Sequence, residues 1–141
     1  MIARKALFIS SVLTGLFVLG DSPAQAVTPL NCPAGTTAKG KAGRRQYCVK
    51  PNGRRHGPEA LWHADGKLAN KTIFRNGAKT AYIRFHGNGK PQLKISYRGG
   101  KLHGPWEAWY THGVRSGRGT YKKGILDGRL TLFHFSGARS E

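Results

Sequence analysis

From Gly53 onward the chain runs in short stretches of five to seven residues, rich in aromatic and β-branched types, each closed by a glycine-bearing pair. Asp65-Gly66, Asn76-Gly77, Asn88-Gly89 and Gly99-Gly100 are such pairs. Stretches of this length and content bounded by turn residues predict β-strands. Glycine supplies the positive φ that tight turns between antiparallel strands require. No segment after residue 26 carries a helical period over ten or more residues. The pattern predicts hairpins throughout.

The hairpins repeat. Gly66, Gly89, Gly113 and Gly137 are spaced 23, 24 and 24 residues apart, and Gly53, Gly77, Gly100 and Gly124 keep the same beat. A period in this range marks a repeat architecture, in which small units complete each other's apolar faces by stacking. Aligned units read G-P-E-A-L-W-H-A-D-G from Gly57, T-A-Y-I-R-F-H-G-N-G from Thr80, G-P-W-E-A-W-Y-T-H-G from Gly104 and G-R-L-T-L-F-H-F-S-G from Gly128. One aromatic column is Trp62, Phe85, Trp109 and Phe133; the second strands supply another, Phe74, Tyr97 and Tyr121. With a half unit at Tyr47-Cys48-Val49 and another from Gly128, the expectation is an all-β, elongated antiparallel meander of hairpins of about 24 residues, with about eight strands from near Gln46 to near Phe135. Most rings are expected to pack as core, and truncating a packed ring at Trp109 to Ala would cost about 3–5 kcal/mol. Because strand residues alternate faces, Trp109 points opposite to Trp106 and Tyr110, and a single layer leaves one aromatic row at least partly exposed.

G-P-W-E-A-W-Y-T-H-G and its echoes resemble the MORN repeat variant, the repeat also found in YwqK-type antitoxin proteins, over about Gly53 to Glu141. The resemblance implies stacked antiparallel hairpins forming an elongated sheet without catalysis, with antitoxin or membrane-linked roles among relatives. The second unit departs from the pattern: Thr80 replaces the opening glycine, and Arg84 stands where its neighbours have Leu or Ala.

The front of the chain has a different character. Arg4 and Lys5 precede an apolar run from Ala6 to Gly20, and Ala24-Gln25-Ala26 supplies small residues. This is the pattern of a secretory signal peptide over residues 1–26, cleaved between Ala26 and Val27. Its apolar run is short for a membrane span, which takes roughly 17–25 residues. The expected destination is secreted or periplasmic. There Cys32 and Cys48, the two cysteines of the chain, are expected to be bonded, closing a loop worth roughly 3 kcal/mol in the chain-entropy picture. Residues 27–52 then form a stapled lead segment and residues 53–141 the repeat domain.

Charge narrows the function. The formal net charge of the 141-residue chain is +18, and loss of Arg4, Lys5 and Asp21 with the leader changes it only to +17. An anionic partner is implied. Six and two residues before each tight-turn glycine stand Lys71 and Arg75, Lys94 and Arg98, Arg118 and Lys122. Equal parity puts all six on one face, opposite the Phe74 column. Arg44, Arg45, Arg54 and Arg55 extend this anion-binding face at the front. No enzyme constellation accompanies it: Asp65 and Asp127 fall at turns, and neither a G-x-S-x-G nor a phosphate loop is present. His63, His86 and His134 share a column, but at about 9.5 Å between successive units adjacent histidines cannot share a zinc with bonds of about 2.1 Å. They read as polar-tipped aromatics, and His56 and His103 read as turn residues. The expectation is a non-enzymatic binding protein without metal, cofactor or small-molecule substrate. Its partner is an anionic envelope polymer, an anionic membrane surface or an acidic protein, with nucleic acid ranking below these. The rival expectation is an antitoxin-like or immunity protein that caps a toxin with its sheet.

Overall fold

The computed structural model describes residues 30–139. The expected signal peptide at residues 1–26, its expected Ala26/Val27 junction and Glu141 lie outside the described residues. The strands are β1 (Thr37–Lys41), β2 (Arg45–Val49), β3 (Arg55–Trp62), β4 (Leu68–Arg75), β5 (Ala78–Phe85), β6 (Pro91–Arg98), β7 (Lys101–Trp109), β8 (Arg115–Lys122), β9 (Ile125–Leu126) and β10 (Thr131–Leu132). They form one antiparallel sheet in which each strand from β1 to β8 pairs with the next. The all-β meander of hairpins is therefore what the chain forms. The boundary between residues 52 and 53 falls in the β2–β3 turn, and the sheet runs continuously across it.

Ten strands replace the expected eight or so for two reasons. The lead segment adds β1, five exposed residues with the sequence T-A-K-G-K. The first strand of the last unit is split: β9 pairs Leu126 with Tyr121 and β10 pairs Thr131 with Arg118, both on the same edge of β8.

The two long rims of the sheet are built differently. On one rim the strands turn through two central residues, Asn76-Gly77, Gly99-Gly100 and Lys123-Gly124, all with positive φ between 51° and 93°. These are the turns whose twist matches the flanking strands. Asn76 and Lys123 are not glycines, and the previous unit supports each of them. His56 Nδ1 accepts the Asn76 N–H at 3.1 Å, and His103 Nδ1 lies 3.5 Å from the Lys123 N–H. The equivalent residue before the second unit is Lys79, and the equivalent turn, Gly99-Gly100, is glycine at both positions and needs no such support. His56 and His103 thus lie inside β3 and β7 and brace the neighbouring turn, rather than forming turns themselves. On the opposite rim, wider turns begin at His63, His86, Tyr110 and His134, each closed by a backbone bond of about 2.8 Å, such as His86 N–H to the Lys90 carbonyl.

A single layer has no second layer to bury its faces. Among the described residues the buried apolar side chains are Cys48, 1% exposed, and Ala60, 2% exposed. The rings of both aromatic columns are half-buried, so the expectation of a packed aromatic core is corrected. Trp106 shows how a ring is seated without a core. It lies along β8 where a Cβ at Gly119 would fall 2.7 Å from its Nε1, and one at Gly117 3.0 Å from its Cη2. Two strand positions without side chains are the condition for that seat. Thr80, in place of the unit glycine, sits at a β-bulge opposite Ile73 and Phe74 and bonds the Ile73 carbonyl through its hydroxyl at 3.2 Å. The second unit therefore keeps its eight-residue strand.

Candidate functional site

Register decides which side chains meet. One unbroken row crosses the sheet as Gln46, Ala60, Lys71, Ile83, Lys94, Glu107, Arg118 and Thr131, each paired with the next. The neighbouring row is Tyr47, Glu59, Thr72, Tyr82, Ile95, Trp106 and Gly119. Paired residues share a face and adjacent residues do not. Lys71, Lys94 and Arg118 therefore lie in line on one face, about 9.5 Å apart at the usual strand spacing. Ile83 separates the first two and Glu107 the second two.

Glu107 is the feature that reasoning on the second strands alone misses, because it stands on β7. Its carboxylate is 2.7 Å from Arg115 Nη2 and lies in register with Lys94 and Arg118. The row is basic but not of one sign.

Arg75, Arg98 and Lys122 belong to a different place. Each ends its strand, opposite Ala78, Lys101 and Ile125 across the tight turns. All three are exposed, and none is in an ion pair with a described carboxylate. The six predicted positions thus divide into an interrupted row on the face and an uninterrupted series on the rim.

The aromatic columns lie on opposite faces. Phe74, Tyr97 and Tyr121 follow Thr72, Ile95 and Gly119 by two residues and share their face. Trp62, Phe85, Trp109 and Phe133 share the face of the basic row, and the Arg118 guanidinium lies 5.9 Å from the Phe133 ring centre. On the first face, cations already cover rings. Arg55 sits 5.0 Å over Tyr47 and 5.2 Å over Phe74, and Lys79 sits 4.6 Å over Tyr97. Such contacts stabilise by about 0.5–1 kcal/mol at exposed sites.

Glu59 organises the front of this face. It is 9% exposed and receives Arg45 Nε at 2.7 Å and Arg55 Nη1 at 2.6 Å. Arg45 and Arg55 are thereby committed to a structural pair, while Arg44 and Arg54 stay exposed. Removing one member of a buried pair leaves the others unpaired. Because both arginines reach solvent, the expected loss for Glu59→Gln is about 1–3 kcal/mol, below the 3–5 of a sealed pair. Urea unfolding at neutral pH measures it, and an unchanged midpoint would show the pair to be ornamental.

Two members of the histidine column, His86 and Tyr110, hold neighbouring units together. His86 Nε2 lies 2.8 Å from the Trp109 carbonyl oxygen, and the Tyr110 hydroxyl donates to the Phe133 carbonyl at 2.9 Å. Each reaches from one unit to the same position of the next. Asn88, Lys90 and His112 make parallel contacts to Thr111, His112 and Phe135 carbonyls. Among the described residues no three His, Cys, Asp or Glu side chains converge as metal ligands would. Asp65 caps its turn by accepting the Lys67 N–H at 3.1 Å; that bond holds its carboxyl below the ordinary carboxylate range.

Half-burial of the rings sets the expected cost of truncation. Trp109→Ala should lower stability by about 1–2 kcal/mol, short of the 3–5 that a core ring would give. The His86 contact survives, since it uses the Trp109 backbone. Thermal unfolding of the variant separates the two values.

Compared with known proteins, the chain matches no protein-family model and no curated protein.

Proposed function

We propose that this chain is an exported, non-catalytic repeat protein that binds an anionic partner by multivalent electrostatics from a rigid sheet. The observation that carries the reading is the series Arg75, Arg98 and Lys122, exposed at equivalent positions in three successive units, with no described carboxylate paired to them. The interrupted row Lys71, Lys94 and Arg118 adds to the same field. Glu59 and Glu107, two of the carboxylates available for acid-base work, are engaged by arginines. The Cys32–Cys48 bond is consistent with an oxidising compartment, where envelope polymers, lipid surfaces and acidic proteins are at hand. The resemblance to the MORN repeat variant supports a binding role over a catalytic one.

A pull-down from envelope extract at low and high salt tests this. Charge-driven capture is lost as salt rises, because exposed charges are screened within about 8 Å at physiological ionic strength. Capture of one protein with the same yield at both salt concentrations would overturn the reading and favour a toxin-neutralising role, held by shape.

A further inference from the structure

Four turns line the rim that carries Arg75, Arg98 and Lys122. In order they read K-P-N-G-R (residues 50–54), R-N-G-A (75–78), R-G-G-K (98–101) and K-K-G-I (122–125). Every one of them holds at least one cation, and none holds a carboxylate. Arg54, Arg75, Arg98, Lys101, Lys122 and Lys123 are all exposed. The described carboxylates lie elsewhere: Glu59 and Glu107 within strands, Asp65 on the opposite rim, and Asp127 beyond β9, with its N–H bonded to the Thr120 carbonyl.

We infer that this tight-turn rim is the docking line, and that its occupant is a flexible, linear acidic polysaccharide lying across the ends of the strands. The inference rests on the polyanion reading above and specifies which basic residues act and on what. Three physical arguments choose the occupant. The first is twist. Antiparallel sheets twist by about 20–25° per strand, so successive turns on one rim, two strands apart, rotate by about 40–50°. A flat bilayer meets one or two such turns at a time, whereas a flexible chain can follow the rim through all four. The second is charge density. The cation clusters recur at about 9.5 Å, which suits an anion carried on a bulky sugar repeat. Duplex DNA, with a charge per about 1.7 Å of axis, would leave most of its phosphates unmatched. The third is the absence of a stacking platform. Single-stranded nucleic acids are held by exposed rings; of the three rings next to this rim, Phe74 and Tyr97 are covered by Arg55 and Lys79, and Tyr121 is half-buried 6.5 Å from the Trp106 ring. Exposed apolar surface that would enter a membrane is confined on this rim to Ile125 and Leu126 at one end.

The test uses the full mature chain with polygalacturonate, phosphatidylglycerol vesicles and random duplex DNA as probes, compared at equal concentrations of anionic groups. Two variants remove the same charge: Arg98→Gln with Lys101→Gln on the rim, and Lys94→Gln with Arg118→Gln on the face. The rim pair should weaken polygalacturonate binding at least tenfold and the face pair less than threefold. Affinity for oligogalacturonates should climb with length until they span all four turns, about 28 Å at the usual strand spacing. Circular dichroism confirms that both variants fold. Equal losses from the two pairs would overturn the rim assignment while leaving polyanion binding standing. Vesicles or duplex bound more tightly than polygalacturonate would overturn the choice of occupant. Failure of every probe to bind in a salt-dependent way would overturn the underlying reading and this inference with it.

Discussion

Replacing Cys32 and Cys48 by alanine is expected to lower the unfolding free energy by about 3 kcal/mol, the value for closing a loop of this length in the chain-entropy picture. The bond joins residues 16 apart, and its weight is large because little apolar surface is buried at the front of the sheet. Cys48 is one of the two buried apolar side chains described. β1 is exposed at all five residues. Beyond the bond, the lead segment is tied down by the Leu30 N–H to Gln46 Oε1 at 3.3 Å, and by Pro33, which fills the space where a Cβ on Gly57 would stand. A repeat sheet is close to one-dimensional, each unit touching only its neighbours, so the damage should stay local. Hydrogen exchange in the variant is expected to lose protection in β1–β3 and keep it in β5–β8. Native protein should take up no thiol reagent before reduction. Loss of less than about 1 kcal/mol, or uniform loss of protection along the sheet, would show that the staple is dispensable or that the sheet unfolds as one body.

Much of this architecture was legible because its signals are local. Glycine pairs at a period of 23 or 24 residues mark turns, and turns at that spacing leave only hairpins between them. The same logic located the staple, since two cysteines behind a leader-like segment point to a disulfide without knowledge of the fold. β1 was illegible because T-A-K-G-K carries no apolar residue. It is held by backbone pairing to β2, and its lysines suit a strand that ends a sheet, where charge discourages pairing with other chains. The split of the last unit into β9 and β10 falls at Asp127-Gly128, a turn pair inside what the other units keep as one strand. Alternation predicts one exposed and one packed aromatic row, and both rows prove half-buried. In a single layer stacking of hairpins completes neither face, and the rings rest on glycines, cations and each other instead. The basic face was read by counting along one strand of each unit, and pairing across strands then set Glu107 between Lys94 and Arg118. The bracing of Asn76 and Lys123 by His56 and His103 was likewise a relation between units, invisible to any pattern within one.

Reversing Arg75, Arg98 and Lys122 to glutamate together is expected to abolish partner binding and leave the fold intact. The fold should survive because each side chain is exposed at a strand end and makes no ion pair among the described residues. At Arg98 the new carboxylate would even face Lys101 across the turn, a cross-strand pair worth a few tenths of a kcal/mol. Binding should not survive, because the three positions act as one array. At about 9.5 Å between units the charges stand slightly farther apart than the Debye length of about 8 Å at physiological salt. Their mutual repulsion is weakened, yet an extended anion in contact with several of them collects each increment. Near an anionic surface that increment is about 1 kcal/mol per cation. Losing three therefore costs at least about 3 kcal/mol, more than a hundredfold in affinity at 1.4 kcal/mol per decade, and the added carboxylates repel what is left. The dependence of affinity on salt should flatten in parallel, since the contacts that salt screens are gone. If the triple variant folds and binds its captured partner with unchanged affinity and salt slope, these cations are no more than a solvated rim, and the partner is held by the sheet's shape.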